Sequence, residues 1–123
     1  ANAVLMPNVV AYHGAKPTKF VSFPKYEKFS GVVKFQVVAA ALKLPAATPE
    51  EGVRSLVAAI RTLMETVGIP FTLKQMGVDP KVFEVKVAAL ADLAYSDQCT
   101  GANPRQPLVK ELEAIYRKAY DGK

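Results

Sequence analysis

Between Thr48 and Val67 the chain writes out a whole helix, with a start, a face and a stop. Thr48 is a hydroxyl residue placed to accept from the first free N–H groups, Pro49 suits the first helical position, and Glu51 completes a capping box. Apolar residues then fall at Val53, Leu56, Val57, Ile60, Leu63, Met64 and Val67, which is the spacing of one helical face. Arg54, Arg61 and Glu65 lie off that face. Gly68 and Pro70 supply the stop. An all-β fold does not accommodate such a segment, and the rest of the chain has to be read around it.

The same grammar recurs. Asp79-Pro80 starts a helix running to about Tyr95, with Asp79 as cap and Val82, Phe83, Val87, Leu90, Ala91 and Ala94 as a deeply buried set. Pro107 opens a last helix whose inner stripe is Leu108, Leu112, Ile115, Tyr116 and Ala119, with Glu113 and Arg117 paired across one outer turn. Gly122 lies just past its end. Residues 31–43 are apolar nearly all round and predict a buried helix, stopped by Pro45. Residues 1–12 predict a helix kinked or bounded at Pro7 and closed at His13-Gly14 by a left-handed glycine. A short helical turn is expected at 72–76, ending at Gly77. Residues 14–30 carry Pro17 and Pro24 and no helical period, so an extended, irregular segment is expected there. The fold class is all-α, with about five helices joined by short loops.

Half of the 123 residues are hydrophobic, enough for a core in one domain or part of one. No apolar run approaches a membrane span. A single cysteine forms no internal disulfide, so a reducing cytoplasm is the expected compartment. The chain opens at Ala1, inside an apolar helical pattern with no cap ahead of it, and is expected to be a fragment or processed product. The net charge of +5 is concentrated where Lys16, Lys19, Lys25, Lys28 and Lys34 face only Glu27, interleaved with Phe20, Phe23, Tyr26, Phe29 and Phe35. Lysines and aromatics together suit nucleic acid. No recognised binding motif accompanies them, so a solvated loop anchored by its aromatics is the preferred reading.

The chemistry available is thin. A metal site takes three or four ligands from His, Cys, Asp or Glu. His13 and Cys99 are the sole representatives of their types and stand far apart in sequence. There is no phosphate loop and no GxGxxG. Glu50 and Glu51 complement a helix N-terminus, and Glu111 and Glu113 predict a solvated face. Two readings fit Cys99: a small buried or half-buried hydrophobe, and a thiol lining a pocket. Its loop is restricted twice, at Asn103-Pro104 and Gln106-Pro107, and Arg105 is placed to bond loop carbonyls or a nearby carboxylate.

The block Asp97-Gln98-Cys99-Thr100-Gly101-Ala102-Asn103-Pro104-Arg105, with Ala91–Ser96 before it and a helix like Val109–Tyr120 after it, resembles the C-terminal end of the iron-dependent alcohol dehydrogenases. Gly68-Ile69-Pro70 with Leu73 and Gly77-Val78 is similar, and Asn2-Ala3-Val4-Leu5-Met6-Pro7 with Tyr12 resembles the stretch after that family's last metal-binding histidine. Lys16-Pro17-Thr18-Lys19 and Phe23-Pro24-Lys25-Tyr26 resemble the bifunctional aldehyde–alcohol dehydrogenase branch. The resemblance implies a parent enzyme that uses NAD and iron to reduce acetyl-CoA to acetaldehyde and acetaldehyde to ethanol. This chain would be the C-terminal portion of its helical metal-binding domain, residues 1–123 forming one subdomain. The metal ligands and the nicotinamide site would lie upstream, so no catalytic, cofactor-binding or metal residue is carried over. His13 stands where relatives often have asparagine and inherits no ligand role. Cys99 is carried over as a residue lining the substrate end of the cleft, not as a nucleophile. The isolated chain is expected to be inactive and prone to oligomerise, within a parent that is a homo-oligomer or filament. Other readings are a stand-alone basic helical binding module and a remnant that docks onto full-length partners.

Overall fold

The structure is a computed structural model and describes residues 2–19 and 29–122. Among the described residues it is all-α, with five helices and no strand. They are α1 (Asn2–His13), α2 (Gly31–Ala41), α3 (Pro49–Thr66), α4 (Pro80–Ser96) and α5 (Val109–Asp121), with a 3-10 turn at Thr100–Ala102 between the last two. No described helix is long and apolar enough to cross a membrane.

The caps form where the sequence places them. The Thr48 hydroxyl accepts from the Glu51 N–H at 3.1 Å. The Glu51 carboxylate reaches back to the Ala47 N–H at 2.6 Å, one residue before the cap position. The Asp79 carboxylate accepts from the N–H groups of Lys81 and Val82 at 2.8 and 3.0 Å. Residues 72–78 form the expected single turn: Met76 donates to the Thr72 carbonyl, and Val78 returns to Leu73.

The helices lie in a row. α2 packs on α3, α3 on α1, α1 on α5 and α5 on α4. The first helix in sequence is therefore the middle one in space. Close approach is built into two crossings by glycine. A Cβ on Gly52 would stand 2.6 Å from the Gln36 Cα, so α3 meets the α2 backbone directly. A Cβ on Gly14 would fall 2.6 Å from a Val53 methyl. Gly14 is thus needed for space against α3, and the expected left-handed closure of α1 does not occur, since among the described residues positive φ is confined to Lys43, Gly68, Gly77 and Gly122. The helix also runs on through Pro7, which is buried.

Where the row ends, burial falls short of expectation. α2 is not a buried helix: it covers Gly31, Val32 and Ala39, and leaves Val37 64% exposed. It stops before Pro45, because Lys43 takes φ +59° and the N–H groups of Lys43 and Leu44 turn back to the carbonyls of Ala40 and Ala39. At the other end α4 buries Phe83, Val87 and Ala91, while Val82 and Leu90 are exposed. The cause is the same in both. A terminal helix of a row has one neighbour and can bury one face.

The α4–α5 seam holds the best-packed cluster, Phe83, Val87 and Tyr120, flanked by Leu73, Val78 and Tyr116. The Phe83 and Tyr120 rings stack at 4.2 Å between centroids. The Tyr120 hydroxyl donates to the Val78 carbonyl at 3.1 Å, and Leu73 N–H donates to the Ala119 carbonyl at 3.0 Å, which ties the 72–78 turn to the end of α5.

Candidate functional site

The loop from Asp97 to Pro107 is held at several points. Asp97 accepts from the Cys99 N–H at 2.7 Å and the Thr100 hydroxyl donates to the Ala94 carbonyl at 2.5 Å. Asn103 donates to the Thr100 carbonyl at 3.0 Å, and Pro107 is fully buried. Within this frame Arg105 points at the end of α1. One guanidinium nitrogen donates to the Tyr12 carbonyl at 2.9 Å and the Ala15 carbonyl at 3.4 Å. A helix C-terminus presents carbonyls with no partner of their own, and a cation there satisfies both their lone pairs and the dipole. The second nitrogen reaches Glu111 at 3.3 Å, and the guanidinium plane lies over the Tyr12 ring, 3.9 Å from its centroid.

Glu111 is the hub of this cluster. Its carboxylate accepts from the Tyr12 hydroxyl at 2.9 Å and the Leu108 N–H at 2.8 Å, and pairs with Lys19. The bond to Leu108 is the returning half of a capping box, so one carboxylate starts α5 and also joins α1, the 15–19 segment and the loop. The expectation of a solvated face is thereby corrected for Glu111. Its partners lie on segments remote in sequence, which no local pattern reveals, although an acid at the third helical position after Pro107 is itself a signal for a backbone cap. Glu113 pairs with Arg117 as expected, and Arg117 also takes Glu84 of α4 at 2.8 Å. Sequence reasoning missed Tyr12, Lys19 and Glu111 as members of one site; it expected Arg105 to bond loop carbonyls or a nearby carboxylate, and the carboxylate is there, while the carbonyls belong to Tyr12 and Ala15 at the end of α1.

The electrostatics fix the protonation states. Burial pushes the Glu111 carboxyl up, but hydrogen bonds from Lys19, the Leu108 N–H and Tyr12, with the Lys19 charge, outweigh it and hold the group below the usual carboxylate range. Burial, then the hydrogen bond to Glu111, raises the Tyr12 hydroxyl well above its ordinary value. Burial, then the Arg105 charge, lowers the His13 imidazole, whose Nδ1 is buried without a partner. The arrangement is a clamp between fixed charges, with Tyr12 kept protonated and Glu111 ionised. A cleft of about 360 Å³ opens beside it, lined by Asn8, Ala11, Arg105, Glu111, Ala114 and Lys118 among others.

Both His13 and Glu111 have folded-state values below their unfolded ones. Each contributes stability that is present above the unfolded value and lost as pH falls toward the folded one. The urea midpoint is expected to fall first below about pH 6.5, as unfolded His13 takes a proton, and further below about pH 4.5 through Glu111. Urea titrations from pH 7.5 to 4 check this. His13→Gln removes the upper step and leaves the lower one; a midpoint flat across both windows contradicts the assignment.

Cys99 is exposed, which excludes the buried-hydrophobe reading, and it does not line the cleft beside the clamp. Among the described residues no group of three or more His, Cys, Asp or Glu is placed to hold a metal ion. Of the basic first third, Lys19 is committed to Glu111, while Lys16 and Lys34 are exposed. Phe20, Phe23, Lys25, Tyr26, Glu27 and Lys28 lie outside the described residues.

Comparison with known proteins places these features. The model of the Fe-containing alcohol dehydrogenase family, C-terminal, matches residues 1–120. An aldehyde-alcohol dehydrogenase of Streptococcus pneumoniae serotype 4 is 43% identical over 121 residues, 98% of this chain and 14% of that protein. Aldehyde-alcohol dehydrogenase 2 of Entamoeba histolytica is 38% identical over 96% of the chain and 14% of its own length. The bifunctional aldehyde-alcohol dehydrogenase of Escherichia coli K12 is 36% identical over 100% of the chain and, again, 14% of its length. The chain spans about one seventh of these relatives.

Proposed function

This chain belongs to the iron-containing alcohol dehydrogenase family, and from that premise we propose that residues 1–123 form the C-terminal helical subdomain of an NAD- and iron-dependent dehydrogenase that reduces acetaldehyde to ethanol. The parent would be bifunctional and would also reduce acetyl-CoA to acetaldehyde, in the cytoplasm. The observation that carries this is the match of nearly the whole chain, at 43% identity, to 14% of an aldehyde-alcohol dehydrogenase. Iron, where bound, would polarise the carbonyl as a Lewis acid. Its ligands and the nicotinamide site are assigned to the polypeptide outside this sequence.

The role left for this chain is positional. The clamp fastens the Cys99 loop to the end of α1, and the exposed thiol is presented outward on a loop pinned at Thr100 and Arg105. This supports Cys99 as a wall of the substrate end of the cleft. The alternative of a basic binding module is disfavoured by Lys19, whose charge is spent inside the molecule.

The test is replacement. The purified 123-residue chain is expected to show no NADH-linked reduction of acetaldehyde. Substituted for the matching portion of the pneumococcal relative, it is expected to support that activity. Turnover by the chain alone, or a well-folded chimaera that binds iron and NADH yet does not turn over, would overturn the reading. Binding of the chain to nucleic acid with a steep salt dependence would favour the module instead.

A further inference from the structure

We propose that the end of α1 is an acid-operated latch: when His13 takes a proton, the Arg105 guanidinium lets go of the helix end and the 99–105 loop loosens, while the helices stay packed. This inference is independent of the dehydrogenase reading.

Among the described residues, two buried side-chain nitrogens lack a hydrogen-bond partner, His13 Nδ1 and Arg105 Nε. Both stand at the end of α1, with the Tyr12 ring beside each. That ring is edge-on to His13 at 5.3 Å between centroids and lies under the Arg105 guanidinium at 3.9 Å. A neutral imidazole offers an acceptor nitrogen, and Arg105 Nε–H is a donor, so the uncharged ring suits the guanidinium as a neighbour. Protonation makes both ring nitrogens donors and brings a second cation to the same place. A helix C-terminus favours positive charge beside its free carbonyls, but Arg105 already takes those of Tyr12 and Ala15.

The surroundings do not relieve this. From the loop, Arg105 opposes the proton. From α5, Glu111 is already engaged by Lys19, the Tyr12 hydroxyl and the Leu108 N–H as well as by Arg105. Around the cavity beside His13, α5 supplies Leu112, Ile115 and Tyr116, and the loop supplies Asn103 and Pro107. None of these is a carboxylate. α2 meets the His13 carbonyl at Gly31, where a Cβ would stand 2.6 Å from it, so the backbone that carries the ring is held. Arg105 is the partner the cluster can lose. Without it the Tyr12 carbonyl keeps the Ala15 N–H at 3.3 Å, and Glu111 keeps Lys19, Tyr12 and Leu108. The latch is at full strength above the ordinary imidazole value of 6.5. Below it the latch weakens by up to about ten-fold per pH unit, until the latched form itself takes the proton.

The experiment is an NMR titration of the full 123-residue chain from pH 7.5 to 5, above the range in which Glu111 titrates. It follows the His13 ring protons, the Arg105 side-chain protons shifted by the Tyr12 ring, and amide protection. The Thr100 and Asn103 N–H groups, which bond to the Asp97 and Thr100 carbonyls, report the loop; Leu73, bonded to the Ala119 carbonyl, reports the α5 packing. The Arg105 signals are expected to move toward free-arginine positions with the midpoint of the His13 ring. Loop protection should fall by roughly three-fold or more while Leu73 holds. In His13→Asn, which keeps an acceptor and does not titrate, both loop signals should stay flat. Arg105 signals that stay in place while His13 titrates would mean that the ring turns out to water alone, and would overturn the proposal. So would loss of protection at Leu73 together with the loop, which is unfolding of the whole, or an unchanged transition in His13→Asn. The wild-type midpoints decide the matter even where His13→Asn fails to fold.

Discussion

Arg105→Ala is expected to lower the unfolding free energy by about 1–3 kcal/mol, the range for removing hydrogen bonds made by a charged, partly buried group. The side chain is only 11% exposed and holds two carbonyls, a carboxylate and an aromatic ring at once. Removing it takes the shorter of two donors from the Tyr12 carbonyl, which keeps the Ala15 N–H at 3.3 Å, and one of two cations from Glu111. A domain of this size has about 5–15 kcal/mol in total, so the loss is a large share. Arg105→Lys keeps the charge but cannot reach α1 and Glu111 together or lie flat on Tyr12, and should recover less than half. Urea denaturation at pH 7.5 reads both. A loss below about 1 kcal/mol for alanine, the scale of a surface pair, would mean that the clamp is ornamental.

Gly52→Ala is expected to destabilise by about 1–3 kcal/mol, although alanine is the better helix former by about 1 kcal/mol. The sign inverts because the new methyl meets backbone: Gln36 Cα at 2.6 Å and Gln36 N at 3.3 Å. A side chain could swing aside, but here a helix has to move. Gly101→Ala is the control, since nothing lies within 4 Å of its Cβ position. Thermal melts of the two variants should diverge, Gly52→Ala downward and Gly101→Ala near wild type. A Gly52 variant as stable as wild type would mean that α2 and α3 do not touch this closely.

What the sequence discloses is what is decided locally. Thr48-Pro49 and Asp79-Pro80 start their helices as written, because a cap is settled within one turn. The exposure of α2 was not legible. Its all-apolar pattern says that it seeks partners, and the pattern does not say that the row ends there. Lys43 in the left-handed region carried no signal either, since glycine is the usual mark of that turn. The clamp was half legible. Arg105 advertises a guanidinium in a constrained loop with Glu111 six residues on, whereas its carbonyl acceptors are 90 and 93 residues away in the chain. The resemblance of the Asp97–Arg105 block gave the family without giving this contact.

The central place of α1 makes the molecule an open book. α2–α3 and α4–α5 are two covers, the first joined by the short 42–48 loop and the second by the longer 97–108 loop, and α1 is the spine bound to both. The bindings are unlike: Gly14 seated against Val53 on one side, the charged clamp on the other. One cover can therefore swing without unpacking the other, and acid acts on the clamp that binds the α5 side. Because the spine is the first helix along the chain and both covers come later, neither cover has to find the other. Each needs only to find α1.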